Sequence, residues 1–329
     1  MCPISQSRPS VAWVCGFGKV SRVILLLENV PTGSVVIVQA PQPQGWGALL
    51  LYGRWVPQRI TAVVSPARLQ PYRDHWTAQS GGVAGSEAAI AALYLWQVGM
   101  SAAWYEVLAF TEMAVRHSLD TELRKWNAAQ PGCGPDWLRK PATPLSGVLG
   151  SRTLKRVAYE AGKASDQRSE HDPDFGVHPR SGHEVVHDDL VAQLTFGNLV
   201  HLLPNDPPSE EKRKSLRSGY TKHEQLWLNA TKTAFPNLDQ VCGNRRWAKY
   251  PPHTPVPEAV APGYALAAAL ERLRRLRNRV GHHEQTFRVR HTDRHRDAMY
   301  VIRAININAH IAVHSVSRVR GVLATQPRP

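Results

Sequence analysis

The chain has little cysteine and no long hydrophobic run. Its four cysteines (Cys2, Cys15, Cys133 and Cys242) lie far apart and form no C-x-x-C pair. This spacing argues against a disulfide framework or a cysteine-rich zinc site, and it predicts a cytoplasmic protein, because reduced thiols are typical of the cytosol. No stretch approaches about eighteen uninterrupted apolar residues, so we predict neither a transmembrane helix nor a membrane partner.

Acidic residues are also scarce relative to basic ones. The 329 residues include 26 Asp and Glu against 40 Lys and Arg, which gives a formal net charge of +14 and a pI near 10.0. Such an excess favours a polyanionic partner, RNA or DNA, ahead of a membrane surface. A coding bias toward arginine would produce the same charge without any binding site, so the charge alone identifies no function.

The N-terminal part of the chain differs from the rest. Residues 1–62 contain scattered Gly and Pro and no sustained periodicity, which predicts an irregular extension or a small strand-rich appendage. Residues 63–329 form the second predicted unit, where the apolar period becomes helical. Ser65-Pro66 and Ser86 are typical helix starts, and Gly99-Met100-Ser101 is expected to split the long helix that follows Ser86.

The remaining apolar segments predict a mostly helical second half. Residues 165–182 are polar and suggest a loop, and residues 251–262 hold five prolines and suggest an extended connector. Helices are predicted over Leu190 to Leu203, Leu226 to Phe235, Leu266 to Val280 and Asp297 to Leu323. The predicted fold class is therefore all-α, a bundle of five or six main helices.

The segment from Arg277 to Glu284 is the strongest candidate site. An arginine stays ionised and can clamp a phosphate, and a histidine can move a proton near neutral pH; here Arg277 precedes His282 by five positions. On a continuous helix five residues turn about 140°, so Gly281 would have to end the helix for His282 to face Arg277. The alternative is a solvated basic face, including Arg274 and Arg279, followed by a terminal turn.

A second candidate is the H-E-x-x-H sequence from His183 to His187. On a helix the two histidines would share a face and could bind zinc, with Glu184 as the general base of a peptidase. The segment follows a loop directly, has no obvious third ligand, and occurs in a chain with 15 histidines. The alternative is a polar helix N-terminus in which Glu184 complements the helix dipole.

Two further groups of charged residues accompany the first candidate. Glu112 and Arg116 form an i, i+4 pair on the long helix, either an ordinary surface pair or one that orients Arg277. The Arg/His run that includes Arg288 and Arg290 suggests a phosphate-contacting loop, although such runs are often only solvated.

Six short blocks in order connect residues 65–329 with a known family. The blocks are Ser65-Pro66-Ala67-Arg68-Leu69, Ala91-Ala92-Leu93-Tyr94-Leu95-Trp96 with Glu112…Val115-Arg116-His117-Ser118-Leu119, Leu194-Thr195-Phe196-Gly197, Leu226-Trp227 with Ala234-Phe235-Pro236, Leu276-Arg277-Asn278-Arg279-Val280-Gly281-His282-His283-Glu284, and the end from Ser317 to Pro329. Together they resemble the Abi-like (abortive infection, AbiD/AbiF type) proteins of the HEPN superfamily. Gly281, Asn198 and His117 depart from the family pattern.

The resemblance implies a HEPN-like helical bundle with metal-independent endoribonuclease activity and no cofactor, used in phage defence or as a toxin. It implies RNA as substrate, a homodimer, and an antitoxin protein or RNA as a further partner. Carried over by position, the implied catalytic pair is Arg277 and His282, with Asn278, His283, Glu284, Glu112 and Arg116 in supporting positions. The predicted RNA-binding residues are Arg274, Arg279, Arg288 and Arg290. The alternative from another class is a non-catalytic RNA-binding protein.

Overall fold

The computed structural model describes residues 62–174, 176–242 and 256–329, in which every regular element is a helix. The predicted all-α class is confirmed for these residues, whereas residues 1–61 of the predicted extension lie outside them. The helices are α1 (Pro66–Gln79), α2 (Glu87–Ala128), α3 (Leu145–Ser169), α4 (His187–Ala192), α5 (Phe196–His201), α6 (Glu210–Ser215), α7 (Lys222–Asn229), a 3₁₀ helix (Thr231–Ala234), α8 (Leu238–Cys242), α9 (Ala261–Gly281), α10 (His291–Ile305), α11 (Ile307–Val316) and α12 (Val319–Ala324).

The first two helices begin where their capping residues predict. The Ser65 hydroxyl accepts from the Arg68 amide at 3.4 Å with Pro66 in the first turn, and the Ser86 hydroxyl accepts from the Ala89 amide at 3.2 Å. The predicted split at Gly99 is wrong, because α2 runs unbroken for 42 residues, about 63 Å. A glycine inside a helix lowers its stability by about 1 kcal/mol. Burial of the nearby Met100 and Trp104 side chains contributes more than this.

Two predicted helices are each divided by a capping side chain. Residues 190–203 form parts of α4 and α5, because the Thr195 side chain accepts from the Asn198 amide and starts a new helix. The predicted helix from Asp297 to Leu323 becomes α10, α11 and α12. Asn306 is extended (φ −154°, ψ 124°), and its side chain caps α11 by accepting from the Ala309 amide at 2.9 Å. In both cases a local hydrogen bond competes with continuation of the helix.

The predicted loop at residues 165–182 is also partly helical. The polar stretch 165–182 begins inside α3, which extends to Ser169, and α6 lies in the charged segment before α7. Of the predicted proline connector, residues 251–255 lie outside the described ranges, and Pro262 already belongs to the first turn of α9. A proline is tolerated there because the first amides of a helix have no intrahelical acceptor.

Helix α2 lies at the centre of the packing and contacts α1, α9, α10, α12 and the 3₁₀ helix. The predicted apolar stripe of α9 is buried, with Leu270, Leu273 and Leu276 no more than 3% exposed. The Trp104 indole of α2 donates to Nδ1 of His291 at 2.8 Å, inside the same core. Each buried leucine contributes roughly 1.5–3 kcal/mol. This packing holds the end of α9, with the segment 277–284, against α2.

The described helices include none that combines the length and the apolar character needed to cross a membrane.

Candidate functional site

Helix α9 ends at Gly281, which is its last residue, and the glycine keeps a right-handed backbone instead of the left-handed turn typical of a terminating glycine. The His282 amide donates to the Asn278 carbonyl at 2.9 Å, and His282 caps the helix with φ −93° and ψ 9°. A Cβ atom at Gly281 would lie 3.9 Å from Nη1 of Arg277, so the arginine side chain extends along the helix toward its C-terminal end. Within the described ranges, no hydrogen bond or ion pair joins Arg277 to His282.

Arg277 lies beside a carboxylate of α2. Its Nε atom lies 3.7 Å from Oε2 of Glu112, whose Oε1 accepts from Nη2 of Arg116 at 2.8 Å. Arg116 in turn donates from Nη1 to the Val191 carbonyl at 2.6 Å. The Glu112 and Arg116 side chains are 16% and 14% exposed, against 53% for Arg277. This is not an ordinary surface pair: it holds Glu112 beside an arginine that remains open to solvent.

The turn after α9 is held from two sides. Nη2 of Arg68 on α1 donates to the His283 carbonyl at 2.9 Å and to the His282 carbonyl at 3.4 Å. Oε1 of Gln97 on α2 accepts from the Thr286 amide at 2.7 Å and from its hydroxyl at 3.0 Å. His283 has φ 53°, a conformation that costs a non-glycine residue roughly 1–3 kcal/mol. These bonds stabilise the strained turn and leave His282 and His283 exposed.

Arg68 and Gln97 are the two site residues that the sequence did not reveal. They bind residues 215 and 189 positions away, so no local spacing connects them with the motif. The sequence gives one indication for Gln97: it is a polar residue within the apolar pattern of α2. In the structure its side chain is only 3% exposed. A buried amide of this kind needs hydrogen-bond partners, which predicts a polar contact but not its location.

The other predicted site residues surround the turn without joining it. The Glu284 amide donates to the Arg279 carbonyl at 2.8 Å, and Glu284 Oε2 lies 4.0 Å from Arg279 Nη1. Arg290 pairs with Asp293 at 2.9 Å and Arg288 is exposed. Exposed ion pairs contribute only about 0–1 kcal/mol, so these arginines can exchange their partners for phosphates.

Arg274 is held more firmly than the other predicted RNA-binding arginines. Its Nε and Nη2 atoms donate to the two carboxylate oxygens of Glu271 at 2.6 and 2.8 Å. These hydrogen bonds, joined by one from Arg275, lower the pKa of Glu271 to about 2. A phosphate would have to displace a bidentate carboxylate to bind Arg274.

The helical zinc geometry considered as an alternative for the H-E-x-x-H sequence is not formed. Residues 183–186 are not helical and α4 begins at His187, so the two histidines do not share a helix face. His187 is 8% exposed, and its Nε2 and Nδ1 atoms contact Asp120 and Asp136 at 2.8 and 2.9 Å. Burial alone would lower the pKa of His187, but these two hydrogen bonds outweigh it and the pKa is raised.

His187 is therefore a structural residue that links α2 to the start of α4. Both ring nitrogens are already bonded to carboxylates, so neither is free to ligate a metal. Across the described ranges, no group of three or more His, Cys, Asp or Glu side chains is arranged to hold a metal ion.

Comparison of the chain with known protein families, with curated proteins and with solved structures gives no match. The family resemblance of the sequence blocks thus stays a prediction, and any functional argument depends on the geometry around α9.

Proposed function

We propose that the chain is a metal-independent endoribonuclease of the HEPN type, with Arg277 and His282 as its catalytic residues. One observation carries the proposal. A half-exposed arginine, paired at 3.7 Å with the partly buried Glu112, lies near the C-terminal end of α9, and an exposed histidine directly follows that helix. An oriented cation and an accessible imidazole are the two groups that metal-free cleavage of a phosphodiester requires.

The proposed reaction uses the 2′-hydroxyl of the RNA as nucleophile. This oxygen attacks the adjacent phosphorus while the bond from phosphorus to the 5′-oxygen breaks, which leaves a 2′,3′-cyclic phosphate and a 5′-hydroxyl. His282 takes the proton from the 2′-hydroxyl or returns one to the 5′-oxygen. Arg277 stabilises the negative charge that develops on the phosphorane oxygens. DNA lacks the nucleophile and is not a substrate.

A homodimer would supply both proton transfers at once. One histidine cannot remove the proton from the 2′-hydroxyl and protonate the leaving oxygen at the same moment, whereas two copies of the motif in one cleft can. Arg277 and His282 of one copy are not bonded to each other, and a phosphate could bridge groups contributed by two copies. The homodimer and an antitoxin partner follow from the family resemblance and form part of the proposal.

The test is cleavage of single-stranded RNA in the presence of EDTA, with analysis of the product ends. Arg277→Ala and His282→Ala should each lower the rate about 10²–10⁴-fold, the range for one electrostatic or proton-transfer group. Arg275→Ala is the matched control, because its side chain lies on the same helix, is 73% exposed and pairs with Glu271. Both variants cleaving at the wild-type rate, or activity that EDTA abolishes and zinc restores, would refute the proposal.

A non-catalytic RNA-binding protein is the second candidate. It is favoured by the missing bond between Arg277 and His282 together with the net charge of +14. In that case Arg277→Ala would weaken RNA binding and reduce its salt dependence by about one phosphate contact, and no cyclic phosphate would form with any variant.

A further inference from the structure

A cavity of about 690 Å³ borders the turn that carries His282. It lies between α1, the middle of α2 and the C-terminal end of α9, where Gly281 and His283 form part of its wall. Sites for small molecules usually occupy about 300–1,000 Å³, so the space suits one nucleotide and not a folded element. His282 lies between these two wall residues in sequence, so the cavity borders the turn that carries the candidate catalytic group.

The wall of this cavity combines aromatic rings with cationic and hydrogen-bonding groups. Tyr72, Tyr94 and Tyr105 line it together with Gln97 and Ser101. Tyr72 and Tyr94 pack edge to face with their ring centroids 5.4 Å apart, and Tyr105 is 68% exposed. The exposed Tyr105 ring offers a face for a planar base, and the Ser101 hydroxyl offers a group that can bond to its polar edge.

The charged residues that line the cavity indicate which class of ligand it can bind. Arg68 and His283 line the cavity, and among its described lining residues none is acidic. A metal cation or a basic peptide would find no carboxylate here, whereas an anionic ligand meets a guanidinium at the entrance. The Arg68 guanidinium already donates to the backbone of the turn, so the same group links the cavity to the position of His282.

We infer that this cavity binds one unpaired base of single-stranded RNA, with the attached phosphate directed toward His282. The placement of the phosphate near His282 rests on the proposed function, whereas binding of the base in the cavity does not depend on it. A base in a duplex is stacked and paired and cannot enter, so the cavity selects single strands or loops. Tyr105, the most exposed of the three rings, is the stacking surface, and the Ser101 hydroxyl bonds to the edge of the base.

The decisive variant is Ala102→Trp, which fills the cavity from an exposed position of its wall. Ala128→Trp is the matched control, since it makes the same change at an exposed alanine about 39 Å further along α2, at roughly 1.5 Å per residue. The readout is equilibrium binding of a short 2′-O-methyl RNA, which lacks the nucleophile and cannot be cleaved. Ala102→Trp should weaken binding about 5- to 150-fold, the loss expected for one stacked base, and Ala128→Trp should not.

A second pair of variants tests the stacking ring itself. Tyr105→Ala should weaken binding by a similar factor, whereas Tyr105→Phe should retain it because the ring remains. Both changes are at an exposed position, so loss of folding does not explain a difference between them. Duplex RNA of the same sequence should not compete for the site.

Three outcomes would overturn the inference. The first is equal RNA affinity of Ala102→Trp and Ala128→Trp, and the second is equal competition by duplex and single-stranded RNA. The third is a change in oligomeric state by light scattering that accounts for the loss of binding in Ala102→Trp, because the cavity would then be an interface between copies. Wild-type protein that binds 2′-O-methyl RNA in the cavity but never cleaves RNA would instead refute the proposed nuclease and leave the base-binding site standing.

Discussion

Replacing Gln97 by leucine should loosen the turn that presents His282. Leucine has nearly the volume of glutamine and favours a helix, so the change removes hydrogen bonds with little disturbance of α2. A leucine side chain cannot bond to the Thr286 amide at 2.7 Å, the Thr286 hydroxyl at 3.0 Å or the Glu284 carbonyl at 3.4 Å, as Gln97 does. Thr286 is fully buried, so water cannot replace the acceptor of its amide.

The magnitude follows from that buried donor. An unsatisfied buried amide costs about 1–3 kcal/mol, which lowers the free energy of unfolding of Gln97→Leu by the same amount. At roughly 2–4 °C per kcal/mol for chains of this order of size, Tm should fall by about 2–12 °C. If the turn also positions His282 for catalysis, RNA cleavage should fall further than the small change in folded population explains.

Urea unfolding followed by circular dichroism measures the stability, and RNA cleavage at a temperature well below Tm measures the positioning. Ser101→Ala is the control, because it removes only the bond that the Gln97 amide donates to Ser101 at 2.9 Å and keeps both bonds between Gln97 and Thr286. If Gln97→Leu unfolded at the same urea concentration as Ser101→Ala, the argument that Gln97 stabilises the turn would be refuted.

Two further predictions concern the scaffold. His187→Gln should lower the free energy of unfolding most below about pH 6.5, the ordinary histidine pKa, because the raised folded-state pKa of His187 makes its protonated form stabilising. The difference from wild type, measured by urea unfolding, should shrink as the pH rises through that raised value; a difference that grew with pH would contradict this assignment. Gly263→Ala should lower the free energy of unfolding by roughly 1–3 kcal/mol, because its Cβ would lie 2.8 Å from Cδ2 of Trp227. Gly162→Ala should raise it by up to about 1 kcal/mol, because nothing lies within 4 Å of its Cβ. Equal thermal stability of these two glycine variants would contradict the steric argument.

The helices that could be predicted are those with strong local signals. Ser65 and Ser86 cap α1 and α2, and the leucine spacing of α9 matches its buried stripe. The predicted helix boundaries were wrong in two situations. In one, packing outweighed an unfavourable local residue; in the other, a local capping bond interrupted an apolar pattern. At Gly99 the burial of neighbouring side chains outweighs the cost of a glycine, whereas at Asn306 one capping side chain ends a helix within an apolar pattern.

The residues of the candidate site also divide into those that local sequence spacing reveals and those that it does not. The motif on α9 was visible because its residues are close in sequence, and the i, i+4 pair Glu112 and Arg116 was visible for the same reason. The hydrogen bonds that hold the turn after α9 could not be predicted, because they come from Arg68 and Gln97, more than 180 residues earlier in the sequence. For the H-E-x-x-H sequence the spacing was misleading: the pattern has chemical meaning only on a helix, and the helix begins at its last residue.

Gly281 connects the candidate catalytic residues to the cavity. Its missing side chain lies where a Cβ would be 3.9 Å from Nη1 of Arg277, and the same residue lines the cavity with His283. A methyl group at that distance would make an ordinary van der Waals contact, so the glycine is not required for the position of Arg277. In the proposed arrangement a nucleotide lies across Gly281, with its base in the cavity and its phosphate near Arg277 and the exposed C-terminal end of α9.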